Sequence, residues 1–298
     1  DVVAKLRGIL KTKKIGHTGT LDPDAVGVLP VCIGKATKLC DLITDWGKTY
    51  EAVMLLGTTT DTLDISGKIV AQSEVNVSEV DVLKACNEFI GEYEQIPPMY
   101  SALKHNGQKL YELARKGIEI ERKPRTVHIN TLRVNDINLS DKQKTVTITV
   151  DCSKGTYIRT LCQDIGEKLS CGACMESLLR TKVSEFCVQD ALRLSEIEER
   201  VQKAAGQTPS EQWNAEMFDF IYAVDSVFLQ YKKAVICKEW NKLLYNGNRM
   251  KKDMFVSYQK DWEQQKVRIY DEEGRFIGIY EYSEIHGDYK PVKLFMEA

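Results

Sequence analysis

The stretch GHTGTLDPDAVGVLP, residues 16–30, is the most informative part of this 298-residue chain. It places one carboxylate, Asp22, in a loop that is dense in glycine and proline. Glycine permits backbone dihedrals that a side chain forbids and proline fixes φ, so such a loop can hold an irregular shape. Composition alone leaves two alternatives open, an ordinary surface turn and a loop that positions chemistry.

Two other motif interpretations fail on spacing. A phosphate-binding P-loop needs a glycine, four residues and then Gly-Lys-Ser/Thr. Here Gly34-Lys35 is followed by Ala36, and Leu29 stands where the first glycine belongs. The acidic segment DTLDISG, residues 61–67, lacks the alternating oxygen ligands and the closing glutamate of an EF-hand. We expect a polar turn in that segment.

The composition is that of a globular protein, with 43% hydrophobic and 28% charged residues. No window approaches the run of about 18 apolar residues that a membrane span requires, and no signal-peptide pattern is present. The nine cysteines include a single CxxC pair at 171–174, and the four histidines are far apart. A zinc site usually needs a second such pair or two histidines at metal spacing. We therefore expect no metal, reduced thiols, no membrane association and a cytoplasmic location.

Charge is segregated along the chain although the formal net charge is only −2. Residues 2–21 carry five basic residues and no acid, and residues 103–133 carry eight against three acids. Residues 185–225 reverse this balance with nine acids against three bases. A charged run is most often a solvated face, but two basic segments are also what a polyanion-binding cleft needs.

Hydrophobic periodicity predicts interspersed helices and strands, followed by a strand-rich end. Helices are expected at residues 2–10, 39–46, 78–90 and 109–116, the third opened by a Ser78/Asp81 capping box. Strands are expected at residues 50–56, 125–139, 145–151, 254–258, 266–270, 276–282 and 291–296, with a hairpin turn at 271–274. The segment 206–214 has the composition of a loop or linker.

Several of these segments, taken in order, resemble the TruB family of tRNA pseudouridine-55 synthases. Residues 16–38 resemble its catalytic-aspartate motif, and KTYEA at 48–52 resembles the segment that bears the active-site tyrosine. SKGTYIRTL at 153–161 resembles the segment with the arginine that pairs with the aspartate. Residues 96–117 resemble the start of an RNA-gripping thumb insertion. The resemblance covers nearly the whole chain.

The resemblance implies an α+β pseudouridine synthase fold, a mixed, largely antiparallel sheet with flanking helices and a thumb insertion, followed by a PUA-like β-barrel. The catalytic domain is expected at residues 1–229 with its thumb at about 103–133, and the PUA-like RNA-binding domain at 230–298. A lysine- and proline-containing motif that normally precedes Asp1 is expected to be missing from this sequence.

The family's catalytic residues correspond to Asp22, Tyr50 and Arg159. Asp22 would be the nucleophile that lets the uracil detach, rotate and rejoin through carbon. The guanidinium of Arg159 would present a planar fork that orients this carboxylate and favours its ionised form. Tyr50 would stack on the target base, and its hydroxyl is a candidate for moving a proton. By pattern alone, Arg159 would be a surface ion pair and Tyr50 a core aromatic residue.

The resemblance also implies RNA-binding positions. His17 would fill the space left in the RNA loop when the uridine is extruded, which offsets part of the cost of flipping a base. Tyr157 and Leu178 would line the uracil pocket. Phosphate contacts are expected from Lys104, Arg115, Lys116 and Arg122, although any one of these alone is more often a solvated surface charge.

The sequence departs from the family pattern at residues 174–180. Cys174 stands where the family usually has a histidine, and Leu179 replaces one of two adjacent arginines, which leaves Arg180. The expected consequence is weaker RNA contact on that side.

These observations predict a cofactor-independent isomerase that converts uridine 55 in the T-arm loop of tRNA to pseudouridine. Its partner is expected to be the T-arm stem-loop of tRNA, with no protein partner required and a monomeric state. The alternative is a catalytically inactive RNA-binding module or tRNA-folding chaperone, against which the intact set Asp22, Tyr50 and Arg159 argues. A homologue that acts on guide-selected sites is less favoured, because such relatives usually carry long basic tails.

Overall fold

The computed structural model describes residues 2–206, 208–210 and 213–296. The α-helices are α1 (Val2–Ile9), α2 (Cys40–Thr44), α3 (Glu79–Asn87), α4 (Leu110–Ala114), α5 (Ile158–Lys168), α6 (Leu194–Ala205) and α7 (Asn241–Tyr245). Short 3-10 helices cover Gly34–Leu39, Val188–Asp190, Ala215–Met217, Val224–Phe228, Lys238–Trp240, Lys252–Met254 and Lys260–Gln264. The predicted loop at 206–214 lies partly outside the described residues, because it includes Gln207, Glu211 and Gln212.

The strands alternate with these helices along the chain, which confirms the predicted α+β class. They are β1 (Ile15–His17), β2 (Val26–Gly27), β3 (Val31–Ile33), β4 (Lys48–Leu56), β5 (Thr58–Thr60), β6 (Ile69–Gln72), β7 (Gly91–Gln95), β8 (Lys104–His105), β9 (Gln108–Lys109), β10 (Arg125–Asn138), β11 (Thr145–Cys152), β12 (Ala173–Val183), β13 (Phe186–Cys187), β14 (Lys232–Val235), β15 (Lys266–Tyr270), β16 (Phe276–Ser283) and β17 (Asp288–Leu294).

The chain forms two compact units. One comprises residues 1–17, 31–40 and 192–298, and the other comprises residues 18–30 and 41–191. The predicted domain division between residues 229 and 230 stays a prediction.

The second unit is built on a mixed sheet with the strand order β13-β12-β4-β11-β10-β7. All neighbours on this path are antiparallel, and β2 joins β12 as a parallel neighbour. Side chains of β11 alternate between buried and half-buried, as its sequence alternation predicts. Part of the range expected for the thumb, residues 125–133, lies in β10 of this sheet.

Helices α3 and α5 cover one face of this sheet. The predicted capping box is confirmed, because the Ser78 hydroxyl accepts from the Asp81 amide and the Asp81 carboxylate accepts from the Ser78 amide. Gly166 in α5 approaches β12 so closely that a Cβ there would lie 2.3 Å from the Ala173 nitrogen. Their shared core consists of aliphatic and sulfur-containing side chains, among them Met54, Val82, Ile129, Ile148, Leu161, Ile165 and Met175.

Two apolar clusters lie among the described residues of the first unit. One lies where α1 meets α6 and includes Leu6, Leu10, Ile15, Val201 and Phe218. The other belongs to a four-stranded sheet with the order β14-β15-β16-β17, in which only the β14–β15 pair is parallel.

The predicted C-terminal barrel is not closed by a continuous ladder within the described residues. Isolated bridges instead join Ile236 to Phe255 and Met250 to Tyr289. The strand predicted at 254–258 is wrong, because a 3-10 turn ends at Met254 and the backbone beyond Phe255 is irregular. The last strand is confirmed but begins at Asp288 rather than at 291.

Candidate active site

The loop 18–30 carries Asp22 and is closed at its base by backbone contacts. The Thr18 amide and hydroxyl both donate to the Pro30 carbonyl, each at 3.2 Å. Within the loop, the Ala25 amide donates to the Asp22 carbonyl at 3.0 Å, which forms a tight turn at the carboxylate. Gly27 adopts a φ of 125°, a value that side chains rarely allow, where β2 runs along β12.

Arg159 holds the Asp22 carboxylate at two points. Its Nε donates to Oδ2 at 2.8 Å and its Nη2 donates to Oδ1 at 3.0 Å, so the guanidinium binds the carboxylate in a bidentate manner. The Arg159 side chain is 5% exposed, whereas that of Asp22 is 36% exposed. The carboxylate is thus oriented from the protein side and remains accessible from the other. The two residues are 137 positions apart, and their pairing is the contact that the family resemblance predicted.

Two backbone carbonyls complete the setting of Arg159. Its Nη1 donates to the Thr62 carbonyl at 3.0 Å, and its Nη2 also donates to the Tyr100 carbonyl at 2.9 Å. The buried guanidinium therefore has acceptors on several sides, which fixes its direction as well as its charge.

The first turn of α5 supplies Arg159, and a buried glutamine fixes where that helix begins. Gln95, which is 1% exposed, accepts from the Tyr157 amide at 2.8 Å and donates to the Tyr157 carbonyl at 3.0 Å. Tyr157 is the N-cap residue of α5 and makes no capping bond with its own side chain. The Gln95 amide therefore holds the residue that precedes the first turn of α5, and sequence reasoning missed it because its partner is 62 residues away.

The turn at 61–67 contributes a second carboxylate that sequence reasoning also missed. Asp64 Oδ2 lies 3.8 Å from Arg159 Nη1, while Asp64 Oδ1 accepts from the Thr62 hydroxyl at 2.7 Å and from the Ser66 amide at 3.1 Å. Leu63, between Thr62 and Asp64, has a φ of 66°. The predicted polar turn is confirmed. The aspartates in its sequence were the only local indication that this turn could supply a charged partner for Arg159.

The two tyrosines of the predicted site have phenols that stay protonated at neutral pH. Burial raises the pKa of Tyr50 to about 12, with smaller contributions from Cys152 and Asp22, and the guanidinium of Arg180 acts in the opposite direction. Burial is also the main cause that raises the pKa of Tyr157. Tyr50 can therefore donate a hydrogen bond or stack on a ring, but it is a poor base in this environment.

Two further cations, Lys48 and Arg180, are buried near the loop. Lys48 Nζ donates to the carbonyls of Thr44 at 3.0 Å and Trp46 at 2.8 Å. Burial is the main cause that lowers its pKa, and the charge of Arg180 adds to the effect. Arg180 is 1% exposed and bonds to backbone within the protein, so it is not a surface contact for RNA.

The other predicted residues are distributed as follows. Leu178 is buried in β12 opposite Ala52. His17 is exposed at the end of β1, in the first unit. Lys104, Arg115 and Lys116 are exposed around α4, and the Arg115 guanidinium lies 5.3 Å from the centre of the Tyr111 ring.

Arg122 is more constrained than the other predicted phosphate ligands. Its Nη2 pairs with Glu119 at 3.3 Å, its Nη1 donates to the Pro97 carbonyl at 3.4 Å, and its side chain is largely covered. Its contact with RNA remains a prediction.

In the part of the chain that the structure describes, no three His, Cys, Asp or Glu side chains are grouped so that they can hold a metal ion. No described helix has the length and apolar character needed to cross a membrane.

Sequence comparison matches two families over adjacent parts of the chain. Residues 7–158 match the N-terminal domain of the TruB family of pseudouridylate synthases. Residues 159–229 match the C-terminal domain of tRNA pseudouridylate synthase B. Together these matches cover the loop with Asp22, the helix with Arg159 and the strand with Arg180.

Curated relatives resemble the chain over nearly its full length. The tRNA pseudouridine synthase B of Lachnoclostridium phytofermentans is 52% identical over 303 residues, which covers 99% of this chain and 95% of the relative. The protein of the same name from Alkaliphilus oremlandii is 44% identical, covering 94% of this chain and 87% of the relative.

Solved structures of the same fold are more distant in sequence. A Cbf5–Nop10–Gar1 complex contains a chain with a TM-score of 0.68 and 24% identity, matched over 99% of this chain and 80% of that chain. An archaeal box H/ACA Nop10–Cbf5 complex gives a TM-score of 0.67 at 22% identity. At this identity the likeness confirms the predicted fold.

Proposed function

We propose a specific reaction for this chain, which belongs to the TruB family of pseudouridylate synthases. The protein isomerises uridine 55 in the T-arm loop of tRNA to pseudouridine, and Asp22 is the nucleophile. Its curated relatives are tRNA pseudouridine synthases, and pseudouridine formation in tRNA is the activity of this chain as well. The observation that carries the role of Asp22 is its two-point contact with the buried Arg159.

The reaction breaks the bond between ribose C1′ and uracil N1 and forms a bond between C1′ and C5. The proton on C5 is lost and N1 gains one, so substrate and product have the same atoms and the same oxidation state. The chemistry needs no oxidant and no activated donor. What the protein must supply is a nucleophile that holds one fragment while the base turns, and positions for two proton transfers.

Asp22 suits the first requirement. The adjacent guanidinium holds it in place, and the exposed third of its side chain leaves room for attack on the ribose or on the uracil ring. Because Arg159 is fixed by the carbonyls of Thr62 and Tyr100, the carboxylate meets the substrate in one orientation. Such preorganisation contributes to rate because a misplaced nucleophile loses most of the advantage of proximity.

Tyr50, Tyr157 and Leu178 form the proposed surroundings of the base. Tyr50 stacks on the uracil and, as a protonated phenol, donates a hydrogen bond rather than removing a proton in the first step. Leu178 and Tyr157 provide apolar surface against the ring. Extruding a base from its stack costs a few kcal/mol of free energy, and these contacts offset part of that cost.

The basic residues around α4 are the proposed grip on the RNA backbone. Lys104, Arg115 and Lys116 are exposed, and none of the three is held in an ion pair within the described residues. Arg122 and His17 complete the proposed contacts, His17 by filling the space of the extruded nucleotide.

We propose that the enzyme acts on tRNA as a monomer, in the cytoplasm and without a protein partner. All nine cysteines lie within the described residues and none of them forms a disulfide there, which agrees with a reducing compartment.

The experiment that tests the proposed substrate is pseudouridine mapping in an unmodified tRNA transcript. After incubation with the protein, a chemistry that marks pseudouridine should report one site, position 55. A matched transcript with cytidine at position 55 should give no signal anywhere. Signal at another position would contradict the assigned target, and no signal in either transcript would contradict the activity itself.

A further inference from the structure

The buried guanidinium of Arg180 contacts both flanks of the loop that carries Asp22. Its Nε donates to the Val28 carbonyl at 2.8 Å, and its Nη2 donates to the Gly19 carbonyl at 3.3 Å. Asp22 lies between these two carbonyls in the chain. Both acceptors belong to the backbone, so one side chain constrains the path of the loop without touching the carboxylate.

The backbone of Arg180 adds a third attachment to the same loop. Its carbonyl accepts from the Val28 amide at 2.9 Å, next to the short parallel ladder between Gly27 and Arg180. Gly27 approaches so closely that a Cβ there would lie 2.2 Å from the Arg180 oxygen. Side chain and backbone of one residue therefore hold the loop against β12, and the sequence supplies a glycine where that contact leaves no room.

Burial of this cation has a cost in free energy, because a guanidinium removed from water loses its hydration. Its hydrogen bonds to the loop must offset that cost. Arg180 is 1% exposed, and hydrogen bonds from a charged donor are about twice as strong as neutral ones. It also stands opposite Tyr50 in the ladder between β12 and β4. The same charge that anchors the loop thus faces the tyrosine of the proposed site.

We propose that Arg180 is a positioning residue for the isomerisation, which ties both flanks of the Asp22 loop to β12 and so sets where the carboxylate meets Arg159 and the substrate. The catalytic consequence rests on the proposed function, whereas the anchoring of the loop does not. Arg159 orients the carboxylate directly, and Arg180 acts through the backbone on which that carboxylate is carried.

The test compares Arg180→Gln and Arg180→Lys with Lys182→Gln, which removes an exposed cation from the same strand. Two quantities are measured on the full chain. One is the single-turnover rate of pseudouridine formation at saturating tRNA, together with the dissociation constant of tRNA. The other is amide hydrogen exchange of peptides that cover residues 18–30, relative to the rest of the protein.

We expect Arg180→Gln to slow the chemical step by about 10- to 100-fold, which corresponds to about 1.4–2.7 kcal/mol in the barrier. The dissociation constant of tRNA should stay within about threefold, because the guanidinium does not reach the surface. Arg180→Lys, which keeps the charge but loses the fork, should be intermediate. In both variants exchange should rise in residues 18–30 only, and Lys182→Gln should match the parent in rate and exchange.

Three results would overturn the proposal. They are a rate within about threefold of the parent in a folded Arg180→Gln, unchanged exchange in the loop, or exchange raised evenly over the whole chain. If Arg180→Gln fails to fold, Arg180→Lys decides by the same criteria, with a slowing of at least about fivefold expected. If the parent protein makes no pseudouridine, the proposed function fails, and the exchange measurement still decides whether Arg180 anchors the loop.

Discussion

Replacing Arg159 with lysine separates the two-point contact on Asp22 from the positive charge that accompanies it. Lysine keeps the charge, but its ammonium is a compact point and cannot form a fork with both carboxylate oxygens. It also cannot reach Asp22 together with the carbonyls of Thr62 and Tyr100, which Arg159 does in the structure. The variant should therefore leave a charged but poorly oriented nucleophile.

The magnitude follows from the bonds that are lost. A hydrogen bond to a charged group contributes about 1.5–3 kcal/mol. Because the Asp22 side chain is 36% exposed, water replaces part of the loss, and we take the lower end of that range for Arg159→Lys. This corresponds to a rate about tenfold lower. Arg159→Ala breaks the whole pair, at about 3–5 kcal/mol, so its rate should fall by roughly 10² to 10³·⁵.

The assay is single-turnover release of tritium from tRNA labelled at C5 of uracil, since the reaction exchanges that hydrogen with water. Saturating tRNA removes differences in binding, and circular dichroism melts verify that each variant is folded. Lys154→Ala is the matched control, because it breaks an exposed ion pair with Asp45 in the same unit. Such pairs contribute about 0–1 kcal/mol. A loss under threefold for folded Arg159→Ala would refute the orienting role.

Three further predictions concern stability and RNA binding. Burial, and to a smaller degree Glu167, raises the pKa of Asp164 to about 6, so the stability from its protonated form is full below about pH 4 and is lost as the pH rises through 6. Asp164→Asn should therefore raise the melting temperature at pH 7.5 by a few degrees and flatten its dependence between pH 4 and 6; an unchanged profile would contradict this. Neutralising Lys104, Arg115 and Lys116 together should weaken tRNA binding and lower its log–log salt slope by up to about 0.9 per duplex phosphate contact, with little change in the single-turnover rate. An unaltered slope in the folded variant would mean that the RNA is held elsewhere. Ser78→Ala should cost about 1 kcal/mol of unfolding free energy through loss of the capping box, measured by urea titration, and leave the rate unchanged.

Local patterns predicted the helix α3 and three strands of the central sheet, β4, β10 and β11, but they gave no strand for β12 and no helix for α5. The strand at 145–151 was visible as alternation of β-branched and polar residues, and the start of α3 as a capping box. Both signals depend on neighbours within a few residues. The pairing of Asp22 with Arg159 was predicted only through the family resemblance, because nothing local links positions 137 apart.

The sequence analysis did not identify the buried polar side chains that support the site. Gln95, Asp64 and Arg180 all act through partners that are distant in the chain. Their residue types are usually exposed, so a sequence pattern assigns them to the surface by default. Arg180 in particular was considered as a remaining RNA contact, whereas the structure buries it against the backbone of the catalytic loop.

The C-terminal strands show a different limit of prediction. Met254 to Tyr258 is rich in apolar and aromatic residues, which favours a strand by composition. The core of that sheet instead takes Met254 and Trp262 from 3-10 helices and Phe255 from the segment between these helices, where an isolated bridge joins it to Ile236. Tertiary packing decided the local conformation there, as it often does for short apolar runs.

The most direct test of the central claim is Asp22→Asn, measured for product and for tRNA binding in the same preparation. The amide is nearly isosteric with the carboxylate, but it cannot act as the nucleophile. Pseudouridine at position 55 should therefore fall to background after prolonged incubation, while the dissociation constant of tRNA stays within a few-fold of the parent. Turnover above background in a preparation free of wild-type enzyme would contradict the assignment of Asp22.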